Sequence, residues 1–295
     1  APPPRGGPRA RARGGAAPPP PPPPPPRSAR NLRHMAYWLV KVVLTPLLRL
    51  IWRIDTRDRD RVPARGAAIL ASNHQSFIDS ILIPLVIRRR VTFLAKAEYF
   101  ETWKTAWFFK AVGQIPIRRG GGSVSEQALV CAREVLDAGG LLGVYPEGTR
   151  STDGRIYRGR TGVARMALRC GVPVVPVAVA GTRQIQPIGC MRPKLFRSAS
   201  VSFGAPLSWP ELRGAHDDPE VLRRVTDEIM AAIAGLAGQP VQPYHVQKDR
   251  GSAAGAPSGT SEGDDGVILV IGPEPSAEPA GRAGAVPAAG RIPSV

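Results

Sequence analysis

The chain has 295 residues, a formal net charge of +17 and three cysteines, an odd number with no Cys-x-x-Cys pair. That cysteine usage argues against a disulfide framework or a zinc site and for a reducing compartment, and four histidines in all leave no metal centre to be expected. The positive charge suits a polyanionic partner, whether nucleic acid, an anionic membrane surface or phosphorylated substrates, and does not by itself choose among them.

Residues 1–30 read as a disordered Arg/Pro-rich arm, with nine consecutive prolines at 18–26 and six arginines without an acid. Such a composition favours polyproline II or disorder and cannot bury a core. The arm also lacks an apolar stretch of the secretory kind. Residues 241–295, rich in Gly, Ala and Pro, read as a disordered tail. Within it only 267–271 is apolar and β-prone, and no function is assigned to it. The arm contributes +6 and the tail from Lys248 onward −2, which places +13 on the chain between them.

Residues 31–60 are predicted to be a membrane-interface helical segment. The stretch 37–54 is nearly long enough to span a bilayer, but Lys41, Pro46 and Arg49 interrupt it. An apolar helix, whole or broken, with flanking Trp and Arg fits the interface better; the alternative is an amphipathic helix of a soluble core. The alternating charges of 55–61 read as a solvated loop.

The folded domain is expected over 61–240. Residues 67–71 are a short apolar strand and 80–87 an apolar helix, and between them lies Ser-Asn-His-Gln-Ser-Phe-Ile-Asp, residues 72–79. Five residues on a regular helix are about 140° apart. His74 and Asp79 can therefore meet only if His74 lies in the turn and Asp79 in the first helical turn. The same residues fit a capping box, Ser76 with Asp79, and the two readings are compatible. A strand over 91–95 leads into Lys96. The aromatic and basic residues of 102–110 fit either a membrane boundary or a core stripe. A short strand within 111–119 ends in Arg118 and Arg119, and a flexible Gly120-Gly121-Gly122 loop follows. A helix over 123–138, with Ser123 and Glu126 as its capping box, stops at Gly139-Gly140. A buried strand over 141–145 runs into Pro-Glu-Gly-Thr-Arg-Ser, 146–151. A helix over 162–169, strands over 172–179 and 199–203 and a helix over 219–236 complete the chain. Alternating strands and helices mean a single α/β domain with a mixed, mostly parallel sheet flanked by helices.

Three strand ends thus carry polar groups, namely His74 with Asp79, Arg118, and Glu147 to Arg150, and in an open α/β sheet such ends converge on one crevice. A base flanked by arginines suits deprotonation of a hydroxyl on a phosphorylated molecule. Asn73-x-x-x-x-x-Asp79 around His74 and Pro146 to Ser151, with weaker support from 113–118 and the Pro176-centred strand 174–177, resemble the glycerolipid acyltransferase family, the 1-acylglycerol-3-phosphate acyltransferases. The likeness covers about residues 34–210 and leaves out the arm and the tail. It implies acyl transfer from acyl-CoA or acyl carrier protein, as co-substrate and with no cofactor, to the free hydroxyl of lysophosphatidic acid in phospholipid biosynthesis. In that scheme His74 is the general base and Asp79 orients its imidazole. Glu147, Gly148, Thr149 and Arg150 shape the acceptor site, Arg118 and Arg150 hold the phosphate, and Lys96 is a third candidate cation. The implied location is the cytoplasmic face of the cell membrane. Other acyltransferase acceptors, a catalytically silent membrane-binding relative and a water-using thioesterase are the rival readings. No helix-turn-helix, zinc-finger or RNP-like pattern points to a specific nucleic acid.

Overall fold

The computed structural model describes residues 27–96, 101, 114–117, 122–190 and 192–243. The expected aromatic–basic segment 102–110, the Gly120-Gly121 part of the loop and the apolar 267–271 lie outside them. In chain order the elements are α1 (Arg27–Ile51), β1 (Arg53–Arg57), β2 (Ala68–Ser72), α2 (Asp79–Val86), β3 (Val91–Lys96), β4 (Ile115–Ile117), α3 (Gly122–Asp137), β5 (Leu141–Val144), β6 (Ile156–Tyr157), α4 (Gly162–Cys170), β7 (Val174–Ala180), α5 (Thr182–Ile185), β8 (Ser198–Phe203), α6 (Pro219–Ala237) and β9 (Val241–Gln242).

Seven strands form one sheet in the order β1-β8-β7-β2-β5-β3-β4, and β6 pairs with β9 alongside it. Every neighbouring pair in the large sheet is parallel except β7 with β8. The central strands are continuous apolar runs because both of their faces are covered. β2 shows how they divide the core, since successive side chains point to opposite faces. Ala68 and Leu70 face α1 and α2, with Trp52, Leu82 and Val177. Ile69 and Ala71 face α3, α4 and α6, with Leu136, Met166 and Ile229. The result is a three-layer domain with the sheet in the middle.

Two glycines and a proline have specific tasks here. A side chain at Gly143 would overlap the ring of Phe93, 2.3 Å from its nearest carbon, so glycine alone lets that ring lie against β5. Gly139 ends α3 at φ +73°, and its N–H bonds back to Leu136. Pro176 sits within β7 without breaking it. Its carbonyl accepts from Gly204 N just beyond the β7–β8 ladder, so its missing N–H faces that side and not β2.

The structure corrects three boundaries. The charge run 55–61 is not all loop: its residues 55–57, with 53 and 54 from the expected helical stretch, form edge strand β1, parallel to β8, with Ile54 and Thr56 half-buried and the charged residues outward. The sheet therefore begins inside the stretch assigned to the membrane segment. The helix begins at Arg27, within the expected arm, and runs unbroken through Pro46. Val241 and Gln242, expected in the tail, pair with β6.

Candidate active site

The site is built at the carboxyl ends of adjacent parallel strands β2 and β5. Asn73, the first residue past β2, donates from Nδ2 to Val179 O at 2.9 Å and accepts from Val179 N at 2.7 Å. Its amide thus extends the β2–β7 ladder by one peptide-like step and turns the chain sharply. His74 follows at the top of that turn. Asp79 is the first residue of α2, and its Oδ2 gathers three donors: His74 Nδ1 at 2.9 Å, Gln75 N at 2.7 Å and Ser76 N at 2.9 Å. Both side chains are fully buried. The turn and the His74–Asp79 contact are a single arrangement. Asp79 reaches back to the Ser76 N–H as a capping-box carboxylate does, and the same oxygen holds the imidazole. With Nδ1–H committed to Asp79, Nε2 is the ring nitrogen suited to take a proton.

The imidazole lies flat on Tyr145, ring centroids 3.8 Å apart and planes 11° from parallel. Phe93, over Gly143, stacks in turn on Tyr145 at 5.4 Å. The Tyr145 hydroxyl shares a hydrogen bond with Ser80 Oγ at 2.9 Å. Burial first, then the nearby Asp79 charge, hold the phenol well above its ordinary pKa, so it stays neutral. This aromatic floor was not among the residues singled out by sequence; its signal was the position of Tyr145 at the end of a buried strand, directly before Pro146.

The segment after β5 clamps His74 from both sides. Glu147 Oε1 accepts from His74 N at 3.2 Å, and Ser151 N donates to His74 O at 2.7 Å. The other Glu147 oxygen accepts from Tyr157 N at 3.1 Å. Glu147 is thus a brace between the His74 turn and β6. Burial pushes its carboxyl up to about 8, although both N–H bonds favour the charged form. Gly148 turns the chain at φ +73° beside Arg160, whose Nε would lie 2.9 Å from an added Cβ. Thr149 is partly exposed. Arg150 is only 5% exposed, and among the described residues its Nε and Nη2 have no hydrogen-bond partner. A buried guanidinium with unmet donors is costly unless an anion completes it.

His74, Asp79 and residues 147–150 therefore come together as the sequence predicted. Arg118 lies outside the described residues. Lys96 is the last residue of β3, which places its backbone at the same end of the sheet as His74 and Glu147. Among the described residues no three His, Cys, Asp or Glu side chains gather as a metal set.

The motifs that carry the resemblance thus lie at neighbouring strand ends, with the buried His74–Asp79 pair on one and Arg150 after the other. The acyltransferase family profile matches residues 53–180, which span β1 through β7. Over those residues the chain is similar to the acyltransferase family. Among its relatives, the chloroplastic 1-acyl-sn-glycerol-3-phosphate acyltransferase BAT2 of Brassica napus is 29% identical over 158 residues, 53% of this chain and 46% of the relative. The 1-acyl-sn-glycerol-3-phosphate acyltransferase of Limnanthes douglasii is 31% identical over 141 residues, 48% and 50% of the two chains. The human alpha enzyme of the same name is 27% identical over 148 residues, 50% and 51%. The chain thus spans about half the length of these relatives. The crystal structure of the 1-acyl-sn-glycerophosphate acyltransferase PlsC from Thermotoga maritima matches with a TM-score of 0.57 at 20% identity, covering 73% of this chain and 86% of that one. That likeness shows the shared fold.

Proposed function

We propose that the protein transfers a fatty acyl group from an acyl thioester, acyl-CoA or acyl carrier protein, to the free hydroxyl of lysophosphatidic acid, making phosphatidic acid for phospholipid synthesis. The observation that carries the reading is the fully buried His74–Asp79 pair, clamped at its own peptide by Glu147 and Ser151, with Arg150, two of whose donors have no partner among the described residues, close by in the chain. The acceptor hydroxyl attacks the thioester carbonyl while His74 Nε2 takes its proton. The tetrahedral intermediate then collapses, the C–S bond breaks, and the proton leaves with the thiolate as free thiol. Asp79 fixes the tautomer and steadies the imidazolium between these steps. The acceptor oxygen is the nucleophile, so neither an acyl-enzyme nor a cofactor takes part. Arg150 receives the acceptor phosphate in fork geometry; Arg118 and Lys96 are proposed as further cations there.

The surroundings support a lipid substrate. An apolar cleft between α1 and α2, lined by Tyr37, Val40, Leu44, Phe77, Ile81 and Pro84, opens beside Ser80, next to Asp79 in the chain. The described part of α1 has two apolar faces. Tyr37, Leu44, Leu48 and Ile51 pack inward, whereas Leu39, Val42, Val43, Leu47 and Leu50 follow helical spacing on the opposite, exposed side. Among the described residues no helix is long and apolar enough to cross a membrane. We place the protein on the cytoplasmic face of a membrane, with the outward stripe of α1 in the interface. Lys41, which interrupts the apolar stretch in sequence, does not join the outward stripe. Its ammonium turns inward to the Ile87 carbonyl, 5.2 Å from the Trp38 ring centre, and burial lowers its pKa to about 8.

The reading is tested by incubating purified protein with one acyl-CoA and a panel of lysolipids while following thiol release and lipid product together. Acceptor-dependent thiol release with phosphatidic acid as product is expected. Release at the same rate without acceptor would identify a thioesterase instead.

A further inference from the structure

The loop between α5 and β8, described over 187–190 and 192–197, has features that catalysis does not use. Leu195 is 56% exposed and Phe196 80% exposed, although Phe196 holds the left-handed conformation, φ +53°. A bulky residue rarely adopts that conformation, and here no packing of the ring compensates for it. The tip is nevertheless firmly tied. Phe196 N donates to Ile51 O at the end of α1, Lys194 O accepts from the indole of the buried Trp52 at 2.9 Å, and Lys194 N donates to Ile185 O. At the other end of the loop, Gln186 O accepts from Ser76 Oγ at 2.8 Å, inside the catalytic turn. A single tied loop therefore joins the His74 turn to the outer helix.

Its charge is as one-sided as its exposure. Arg192, Lys194 and Arg197 are exposed, and among the described residues none of them is in an ion pair. No Asp or Glu occurs anywhere between Asp153 and Glu211. The tip bonds to the residue after Leu50, itself 80% exposed on the outward stripe of α1. An apolar pair ringed by unpaired cations, continuous with an outward apolar helix, matches the boundary between anionic headgroups and acyl chains.

We propose that this loop is a second membrane-contact element, which inserts Leu195 and Phe196 into the interface of an anionic bilayer beside α1 and so holds the catalytic turn at the lipid surface. The proposal rests on the reading of α1 as an interfacial helix, and the test separates the two. The full chain, Phe196→Gly, Leu195→Ser with Phe196→Ser, and Leu47→Ser with Leu50→Ser are compared by flotation with phosphatidylcholine vesicles containing or lacking phosphatidylglycerol. Glycine suits the left-handed position, so Phe196→Gly keeps the fold, and its melting temperature is expected at or above that of the wild type. Both loop variants should lose about tenfold or more in partitioning to anionic vesicles, the scale of removing one partly inserted ring. Arg192→Gln with Lys194→Gln should abolish most of the preference for phosphatidylglycerol. If the α1 variant loses binding while a folded Phe196→Gly partitions like the wild type, the loop proposal is wrong and the α1 reading stands. If neither the α1 nor the loop variants lose binding, both are wrong.

Discussion

Replacing Asp79 by Asn separates the charge of the His74–Asp79 pair from its geometry. In the wild type one oxygen, Oδ2, receives all three donors, and Oδ1 has no hydrogen-bond partner among the described residues. An asparagine can therefore put its carbonyl oxygen where Oδ2 was and its amide group in the place of Oδ1. The Nδ1–H tautomer and the turn survive, and the negative charge is lost. Two unit charges about 4 Å apart attract by about 4 kcal/mol at an effective dielectric of 20. A charged hydrogen bond exceeds a neutral one by roughly 1–2 kcal/mol. Between these bounds the imidazolium loses about 2–4 kcal/mol, which predicts a turnover lower by about 30-fold to 10³-fold. That falls short of the ~10⁴-fold loss in serine proteases, where the same exchange also imposes the wrong tautomer. Asp79→Ala should behave differently in stability. It strands the buried Gln75 and Ser76 amides at about 1–3 kcal/mol each, so it should melt several degrees below Asp79→Asn. The assay is the initial rate of thiol release from acyl-CoA at saturating acceptor, beside thermal melts of both variants. A folded Asp79→Asn protein turning over within a few-fold of the wild type would refute the reasoning.

Arg150→Ala should weaken transfer to lysophosphatidic acid about 10- to 10²-fold, the scale of a lost charged hydrogen bond, and spare an uncharged monoacylglycerol; equal losses on both acceptors would make Arg150 structural. Glu147, with its carboxyl raised to about 8 by burial, stays protonated in the folded chain after it ionises in the unfolded one, so its contribution to stability is present below about pH 4.5 and declines as pH rises toward 8. Denaturant titrations at several pH values should show that this decline disappears in Glu147→Gln. Tyr145→Phe, which keeps the ring under His74 and removes only the Ser80 bond, should retain turnover within about fivefold, since one neutral hydrogen bond is worth about 1 kcal/mol. Tyr145→Leu should lose considerably more in kcat than in KM.

The parts legible in the sequence were those where one physical demand dominates. Strands β2, β5 and β7 are buried on both faces, so they appear as unbroken apolar runs. The His74–Asp79 spacing admits only one way for the two to meet. Edge strand β1 was missed because its outward Arg53, Asp55 and Arg57 resemble a charge run, although Ile54 and Thr56 alternate with them as an edge requires. β9 is only two residues long and owes its pairing to β6, a tertiary effect with no local signal. Glu147 was expected to shape the acceptor site; its grip on two backbone N–H groups 10 and 73 residues away in sequence depends on the packing of β2, β5 and β6. Lys41 was legible only as an interruption of an apolar run, because its inward direction depends on where α2 ends, at the Ile87 carbonyl.

The most direct test of the central claim is turnover after removal of the imidazole. Because His74 is fully buried and stacked on Tyr145, His74→Gln is measured alongside His74→Ala so that a cavity effect is separated from a chemical one. Acyl transfer to lysophosphatidic acid is expected to fall at least ~10²-fold in both variants while each retains a cooperative melt. Near-normal transfer by either folded variant would contradict a general-base role for His74.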